Sequence, residues 1–272
     1  MKKLLILLFS ILVSFNSYGE IQHDYYSNGQ IKSETNYKDG NSDGKWTYWY
    51  KSGQKSYEKN YKDDKKHGKW VGWHYNGRKS GKQKSEKNYK DGKKRGKSNE
   101  WYEDGQKRHD GNYKDDKKHG KLTGWHKNGQ KSSDGNYKNG KRDGKWIGWH
   151  YNGRKSGKQK SEGNYKDGKK NDKWTYWYKS GQIKSENHYK DDELDVKSTR
   201  WHKNGQKKSE VNYKNGKPDG KWTVWYESGQ IGLEGNFKNG KSDGKWTVWN
   251  ENGQIESEAI YKEGECISGD CP

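Results

Sequence analysis

The sequence predicts an all-β protein in which about ten β-hairpin repeats form one elongated sheet. Three observations support this fold class. A turn motif recurs every 24 or 28 residues, aromatic residues occupy fixed slots in each repeat, and glycine-containing turns divide the chain into short segments. Helices are not expected, because the segments lack a 3.6-residue hydrophobic period and carry glycine twice per repeat.

The turn motif is Asn, Ser or Asp, then Gly, then Gln or Arg. Its glycines are Gly29, Gly53, Gly77, Gly105, Gly129, Gly153, Gly181, Gly205, Gly229 and Gly253. Asn-Gly and related pairs favour positive φ and tight turns. The second turn, Asp/Asn-Gly-x-x-x-Gly, is expected to form a longer glycine loop. The two 28-residue repeats share an insertion, within 78–82 and 154–158, and residues 72–94 nearly copy 148–170.

Three aromatic slots keep their register along the chain, which a disordered polypeptide has no physical reason to do. The tyrosine slot follows Asn in eight repeats, and His188 and Ile260 in the other two; it holds Tyr37, Tyr61, Tyr89, Tyr113, Tyr137, Tyr165, Tyr189, Tyr213, Phe237 and Tyr261. The first tryptophan slot holds Trp46, Trp70, Trp146, Trp174, Trp222 and Trp246, with Ser98, Leu122 and Ser198 in the other repeats. The second holds Trp49, Trp73, Trp101, Trp125, Trp149, Trp177, Trp201, Trp225 and Trp249. The segments around these slots suit β-strands, with one strand near 33–38 and the next near 45–50.

The packing is predicted to be aromatic. Glycines two residues before the tyrosine slot, Gly111, Gly135, Gly163 and Gly235, leave room for a ring from the facing strand. Trp46 and Trp49 lie three residues apart, so either both faces carry rings or a bulge redirects one of them. The rings either pack on neighbouring hairpins or form an exposed binding face beside lysines.

Composition excludes several classes of protein. Hydrophobic residues make up 25% of the chain and charged residues 35%, and residues 20–272 contain only 17 Val, Leu, Ile and Phe. A conventional aliphatic core, a multi-span membrane protein and an ordinary α/β enzyme are therefore not expected. The 15 Trp and 21 Tyr can supply the buried area instead.

Three segments are predicted along the chain. Residues 1–19 resemble a cleaved signal peptide, because Lys2 and Lys3 precede an apolar run that ends before Ser17-Tyr18-Gly19. Residues 20–262 carry the repeats, and residues 263–272 form a tail with the cysteine pair. The chain is therefore expected to be exported to the periplasm, the cell surface or the outside of the cell. In such a compartment Cys266 and Cys271 are expected to form a local disulfide. The net charge of +20 has two explanations: the surface attracts polyanionic partners such as lipid head groups or anionic glycans, or the lysines only keep the surface and the sheet edges soluble.

Motifs that carry catalysis or bind cofactors are not evident. Residues 39–44 match the start of a calcium loop, but position twelve is Tyr50, so turn chemistry explains them better. A row formed by His74, His126, His150 and His202 lacks acidic or cysteine partners for zinc. No nucleophile with a base stands out from the repeat; besides the insertions and the tail, only residues 191–199 break the pattern. We therefore expect no enzyme activity, no cofactor and no metal.

The core Gly-Asn-Tyr-Lys-Asn-Gly-Lys-x-Asp-Gly-Lys-Trp, at 135–146 and, with Phe237 in place of Tyr, at 235–246, resembles MORN repeats, in particular the bacterial form of the YwqK-like antitoxin family. The resemblance covers residues 25–262. It implies rows of β-hairpins and a binding or scaffold role, since MORN repeats have been linked to phospholipid head groups and protein assembly.

Three functions follow as hypotheses. The first is an exported scaffold that binds proteins or anionic envelope components, with nucleic acid an improbable partner for an exported chain. The alternatives are a carbohydrate-binding aromatic repeat protein and an antitoxin-like protein of a toxin–antitoxin pair. Exposed terminal strands also allow pairing with another copy of the chain.

Overall fold

The computed structural model describes residues 19–76, 81–151 and 157–271, and they form one antiparallel sheet of 24 strands. No helix occurs among these residues. The predicted fold class is therefore confirmed. The predicted signal peptide, apart from Gly19, lies outside the described residues, as do residues 78–80 and 154–156 of the two insertions.

The strands follow one another in chain order. The first twelve are β1 (Gly19–Tyr25), β2 (Ile31–Lys38), β3 (Asn41–Ser42), β4 (Gly44–Trp49), β5 (Lys55–Lys62), β6 (Lys65–Lys66), β7 (Gly68–Trp73), β8 (Gln83–Lys90), β9 (Lys93–Trp101), β10 (Lys107–Lys114), β11 (Lys117–Trp125) and β12 (Lys131–Lys138). The next twelve are β13 (Lys141–Trp149), β14 (Gln159–Lys166), β15 (Lys169–Trp177), β16 (Ile183–Lys190), β17 (Glu193–Trp201), β18 (Lys207–Lys214), β19 (Lys217–Trp225), β20 (Ile231–Lys238), β21 (Lys241–Ser242), β22 (Gly244–Trp249), β23 (Ile255–Lys262) and β24 (Glu265–Gly269). All pairings are antiparallel and follow the chain order. The short strands β3, β6 and β21 are separated by a bulge from β4, β7 and β22, and both members of each set pair with the same preceding strand, β2, β5 or β20.

The first glycine turn has the predicted form in the eight repeats where the structure describes it; the turn glycines Gly77 and Gly153 lie outside the described residues. In the first, the amide of Tyr26 donates to the carbonyl of Gln30 at 2.8 Å and Gly29 donates back to Tyr26 at 2.9 Å. Gly29 adopts φ 76°, the left-handed conformation that glycine tolerates best. The same pair of hydrogen bonds recurs at Gly53, Gly105, Gly129, Gly181, Gly205, Gly229 and Gly253.

The expectation of a longer loop at the second turn is wrong. Lys38 pairs directly with Asn41, so only Asp39 and Gly40 form the turn. Both have positive φ, 51° and 79°, as a two-residue hairpin turn with the correct twist requires. The remaining residues of the motif re-enter the sheet and then bulge before Gly44.

The bulge is held by an asparagine and a tryptophan. The side chain of Asn36 donates to the carbonyl of Lys45, and Trp46 Nε1 donates to the carbonyl of Asn36 at 2.8 Å. Equivalent indole bonds join Trp70 to Asn60 at 2.9 Å, Trp146 to Asn136 at 3.0 Å and Trp174 to Asn164 at 3.0 Å. In these four repeats the asparagine before the tyrosine slot therefore has a structural role that the sequence pattern alone did not reveal.

Both faces of the sheet carry rings, which answers the question left open by the three-residue spacing. We call the face of the tyrosine slot and the first tryptophan slot the ring face. On it Tyr37, Trp46, Tyr61, Trp70 and Tyr89 form a row with ring centroids 5.2, 4.7, 5.3 and 4.9 Å apart. Such separations are typical of favourable aromatic pairs.

The second tryptophan slot lies on the opposite face, which we call the ion-pair face. There Lys107 Nζ stacks 5.8 Å from the Trp125 ring centroid while it pairs with Asp110 at 3.0 Å. Lys131 covers Trp149 and Lys207 covers Trp225 in the same way. The rings of this slot are therefore partly covered by the protein's own lysines.

Glycine makes room for the deepest indoles. A Cβ added at Gly135, Gly163 or Gly235 would overlap the indole of Trp146, Trp174 or Trp246. Gly111 instead faces Leu122. The core is thin: Leu122, Trp146, Trp174 and Ala259 are the buried hydrophobic residues of the described chain.

A side chain in eight of the described loops links one repeat to the next. The residue after the second tryptophan slot reaches the carbonyl of the following second-slot tryptophan, as Tyr26 does to Trp49 at 2.7 Å and His202 Nε2 to Trp225 at 2.8 Å. The other links start at Tyr50, His74, Tyr102, His150, Tyr178 and Tyr226. His126 Nε2 makes no such bond.

At the C-terminus a disulfide joins Cys266 and Cys271, with their Cα atoms 5.7 Å apart. Cys266 lies in β24 and pairs with Tyr261 of β23, so the bridge fastens the last hairpin. The described residues include no helix that is long and apolar enough to cross a membrane.

Candidate anion-binding edge

The lysines of the ion-pair face are neutralised. In eight of the nine repeats the lysine before the first tryptophan slot crosses to a carboxylate on the next strand, as Lys45 does to Glu58 at 2.8 Å and Lys145 to Glu162 at 2.5 Å. The same pairs are Lys69–Glu86, Lys121–Asp134, Lys173–Glu186, Lys197–Glu210, Lys221–Glu234 and Lys245–Glu258. This ladder of ion pairs runs along most of the sheet and leaves little free charge on that face.

The carboxylates of the ladder are held in their charged form. Partial burial acts to raise the pKa of Glu58, but hydrogen bonds from Lys45 and Lys55 outweigh it and leave that pKa below its usual value. The pKa of Glu210 is lowered in the same way, against burial, by Lys197 and Lys207. These glutamates therefore remain ionised partners for their lysines at neutral pH.

On the ring face a second set of cations covers the aromatic row. Lys66, Lys94, Lys118, Arg142 and Lys170 each lie over a ring of the next tyrosine slot, 4.9 to 5.4 Å from its centroid. Cations at this distance are attracted to the π-electrons of the aromatic ring. Their charge is thus shared with the protein's own rings.

A third set of lysines lies at the two-residue turns and has no such partner. At seven turns the lysines that flank the turn pair directly across the hairpin: Lys62 with Lys65, Lys90 with Lys93, Lys114 with Lys117, Lys138 with Lys141, Lys166 with Lys169, Lys214 with Lys217, and Lys238 with Lys241. We call this set the lysine edge. All fourteen side chains are exposed. None has a carboxylate within ion-pair distance among the described residues.

The turns of the lysine edge are tied into a regular row. The amide of Gly92 donates to the carbonyl of Lys66 at 2.9 Å, and Gly140 donates to Lys118 at 2.9 Å. Successive turns therefore stand two strands apart, which is about 10 Å at the usual strand spacing. Like charges directly opposite one another destabilise a hairpin, so this arrangement is not explained by folding.

Aspartates at some turn tips are used by the backbone. The carboxylate of Asp64 accepts from the amide of Ser42 at 2.7 Å, that of Asp116 from Lys94 at 2.9 Å, and that of Asp192 from Lys170 at 2.7 Å. The turns at 138–141, 214–217 and 238–241 contain no acidic residue, so they are the most cationic. The row of lysine pairs is interrupted at two turns, where Glu193 lies opposite Lys190 in register and Glu265 lies opposite Lys262.

The sequence-predicted residues fall into structural roles. The aromatic slots build the two faces, and His74, His150 and His202 serve as links between repeats. Across residues 19–76, 81–151 and 157–271 no group of three or more His, Cys, Asp and Glu side chains could hold a metal ion. The lysine edge was missed, although its signal is present: lysine flanks the two-residue turn on both sides in seven repeats.

Two glutamines were also missed. Gln54 and Gln130 of the first turn motif are almost completely buried, with 1% of each exposed. Gln54 donates to the carbonyl of His74 and Gln130 to that of His150, at the stems of the two inserted loops. The corresponding Gln30, Gln182 and Gln206 precede loops without the insertion and are exposed. The glutamine is therefore buried where a long loop follows.

Known proteins share the repeat. The model of the MORN repeat variant matches residues 24–39, 42–63, 118–139, 173–191, 194–215, 218–239 and 242–263, more than half of the chain. No curated protein matches. Among solved structures, TcdB2-TccC3 shares 10% identity at a TM-score of 0.22 over 92% of this chain and 16% of that chain. TcdB2-TccC3-Cdc42 shares 12% identity at a TM-score of 0.21 over 92% and 15%. The chain thus spans about a sixth of the length of these structures.

Proposed function

The chain belongs to the family of the MORN repeat variant, and on that premise we propose that it is an exported, non-catalytic scaffold whose lysine edge binds an anionic component of the cell envelope. Repeat proteins of this kind present one extended surface rather than a single pocket. The partner that fits a row of cations about 10 Å apart is a charged lipid surface or a polyanionic glycan.

One observation carries this proposal. Eight of the nine lysines before the first tryptophan slot have carboxylate partners and five cations of the ring face lie on aromatic rings, whereas the fourteen lysines of the edge face one another. An external anion would relieve the repulsion within each pair, so binding adds stability as well as contact. Export is supported by the predicted signal peptide and by the disulfide between Cys266 and Cys271.

The carbohydrate alternative receives less support. Sugar stacking needs aromatic rings with an open face, but Trp125, Trp149 and Trp225 are covered by lysines, and five tyrosines of the ring face are covered by cations of the preceding repeat. Neutral sugar binding would also leave the lysine edge without a role.

The proposal is tested by comparing two variants with equal charge. The edge variant replaces Lys138, Lys141, Lys214, Lys217, Lys238 and Lys241 by Gln. The matched face variant replaces Lys121, Lys145, Lys173, Lys197, Lys221 and Lys245 by Gln. Binding of each to vesicles of anionic phospholipid, to vesicles of phosphatidylcholine alone and to a polyanionic glycan is measured by sedimentation at low and high salt.

We expect the edge variant to lose at least about a hundredfold in affinity for the anionic probes, since each lysine near such a surface contributes up to about 1 kcal/mol. The face variant should keep most of its affinity, and added salt should weaken the parent steeply. Equal losses in both variants would show that net charge alone acts. Retention by the edge variant, or binding to phosphatidylcholine vesicles alone, would also overturn the proposal.

A further inference from the structure

The two ends of the sheet are built differently. At the C-terminal end β24 is five residues long, bulges at Ile267 and leads into a turn that joins Cys271 to Cys266. Short strands and bulges protect an edge against pairing with a further strand. At the N-terminal end β1 is seven residues long, every residue of it is exposed, and among the described residues it pairs with β2 alone. The sheet therefore has one protected end and one open end.

The open edge of β1 carries unpaired backbone groups at alternate residues. The amide of Tyr26, which follows β1, donates to the carbonyl of Gln30 at 2.8 Å across the first turn. Because backbone groups along a strand point alternately to its two sides, the even-numbered residues of β1 bond to β2. The backbone groups of Ile21, His23 and Tyr25 therefore point away from the sheet, and no other strand of the described chain pairs with them.

The neighbouring strand β2 shows the same alternation. Asn36 accepts a hydrogen bond from the amide of Asp43 at 3.1 Å, so the backbone groups of Asn36 point away from β1. Those of the adjacent Thr35 therefore point toward β1, where Gln22 lies opposite in register. Gln22 is thus bonded to β2, which agrees with the direction of the Tyr26 amide.

Isoleucine replaces a lysine on this open strand. Ile21 lies 24 residues before Lys45 and, like it, lies opposite an asparagine in register. The nine later repeats all have lysine at this position, namely Lys45, Lys69, Lys97, Lys121, Lys145, Lys173, Lys197, Lys221 and Lys245. Lysine on an edge strand is a common protection against pairing with another chain. This protection is thus missing on the strand whose edge is open.

A second copy of the chain matches this edge in an antiparallel register centred on His23. Ile21 of each copy then lies opposite Tyr25 of the other, and His23 lies opposite His23. All three residues have outward backbone groups, so every pair exchanges both main-chain hydrogen bonds. Their side chains lie on the ion-pair face, where His23 contacts Glu34 at 3.4 Å. Ile21 is 56% exposed and Tyr25 61%, so the pairing covers two apolar side chains that the single chain leaves open.

Charge disfavours the two neighbouring registers. A slip of two residues in one direction places Glu20 of each copy opposite Asp24 of the other, and a slip in the other direction places Asp24 opposite Asp24. Like charges directly opposite one another destabilise a strand pair. In the register centred on His23, Asp24 instead lies opposite Gln22, whose side-chain amide is a hydrogen-bond donor. Residues 20–50 contain five acidic residues and three lysines, so this end does not share the chain's net charge of +20.

We propose that the chain forms a dimer in which β1 pairs antiparallel with β1 of a second copy, centred on His23, so that the two sheets become one. The interface uses the same strand of both copies, and it closes at two copies because the protected β24 end offers no further edge. The lysine edge takes no part in this contact, so the dimer and the proposed function can fail independently.

The test compares the chain, as recovered from the cells that make it, with two variants of equal charge. Ile21→Lys introduces the lysine of the other repeats, which would pair with Glu34 as Lys45 pairs with Glu58, so β1 keeps its place on β2. The matched control Ile255→Lys changes an isoleucine of similar exposure, 57%, at a position where four other repeats have lysine. Analytical ultracentrifugation and light scattering measure the molar mass from micromolar to near-millimolar protein at physiological salt.

We expect a monomer–dimer equilibrium for the parent and for Ile255→Lys, and a dimer at least about tenfold weaker for Ile21→Lys, since that lysine is placed twice in the interface. A parent that stays monomeric over the whole range, or equal weakening in both variants, would overturn the proposal. So would a mass that grows beyond two copies, because it would mean that the two ends of the sheet join head to tail.

Hydrogen exchange locates the contact within the dimer. The amides of Ile21, His23 and Tyr25 should be protected in the parent and exchange at least about tenfold faster in Ile21→Lys, while those of Gln22 and Asp24 stay protected in both. The six-lysine edge variant should dimerise as the parent does. Free exchange of the three outward amides in the dimer, or loss of the dimer in the edge variant, would place the contact elsewhere and contradict the proposal.

Discussion

Residues 72–94 and 148–170 are two copies of the same segment, and they differ at one position. Lys87 in the first copy corresponds to Gly163 in the second. The strand that follows each copy places a different residue opposite this position: Ser98 faces Lys87, whereas Trp174 packs over Gly163. The residue two positions before the tyrosine slot is thus matched to the residue that faces it: glycine lies beneath a tryptophan, and lysine lies opposite a serine.

The comparison extends to the other repeats through the orientation of the rings. Opposite Thr35 and Lys59, the indoles of Trp46 and Trp70 lie at 54° and 56° to the neighbouring tyrosine. Over Gly135 and Gly163, the indoles of Trp146 and Trp174 lie nearly perpendicular, at 85° and 81°. Glycine therefore lets the indole drop into the sheet, and only 7% of Trp146 and 4% of Trp174 remain exposed.

The largest effect should come from placing serine at position 174, since serine occupies the corresponding position, Ser98, after the first copy. Trp174→Ser removes a buried indole and its bond to Asn164, at a cost of about 3–5 kcal/mol. Because each repeat contacts only its neighbours, the loss should be local. Hydrogen exchange should show faster opening of β14, β15 and β16, with little change in β2 to β5.

Ser98→Ala is the control, since it removes no ring from the first copy. It should leave exchange in β8 to β10 within about 0.5 kcal/mol of the parent, the usual range for a substitution that leaves no cavity. Similar losses in the two variants would show that the copies do not differ in what holds them together.

The sequence predicted the hairpins, the glycine turns and the match between glycine and ring, because each follows from local spacing. It did not predict the bulge, because Glu34 pairs with Thr47 while Tyr37 pairs with Ser42, and only the folded register reveals the two extra residues. The faces of the two tryptophan slots, the ladder of ion pairs and the Lys–Lys pairs all depend on that register.

A smaller effect is expected from exchanging the single residue that separates the copies. Gly163→Lys introduces a side chain beneath the Trp174 indole, and overpacking of this kind costs about 1–3 kcal/mol. The ring should tilt and become more exposed, as Trp70 is opposite Lys59. Urea unfolding and quenching of tryptophan fluorescence measure both changes.

The double variant Gly163→Lys with Trp174→Ser makes the match explicit. If a lysine packs better opposite a serine than beneath an indole, the double variant should lose less free energy of unfolding than the sum of the two single losses, by at least about 0.5 kcal/mol. Strict additivity would mean that the two positions are independent, and that the pairing of Lys87 with Ser98 has no energetic content.

The smallest effect should be shared by both copies, because Lys69–Glu86 and Lys145–Glu162 belong to the same ladder. Hydrogen bonding from Lys145 lowers the pKa of Glu162, so its pair contributes stability above the unfolded-state pKa and loses it as the pH falls through the folded-state pKa. Glu162→Gln should therefore reduce the acid sensitivity of unfolding by no more than about 1 kcal/mol, as for an exposed ion pair. Glu251→Gln, in an exposed loop, is the control and should follow the parent's curve of stability against pH. Superposition of the Glu162→Gln curve on that of the parent would show that the ladder orders charge on this face without stabilising the sheet.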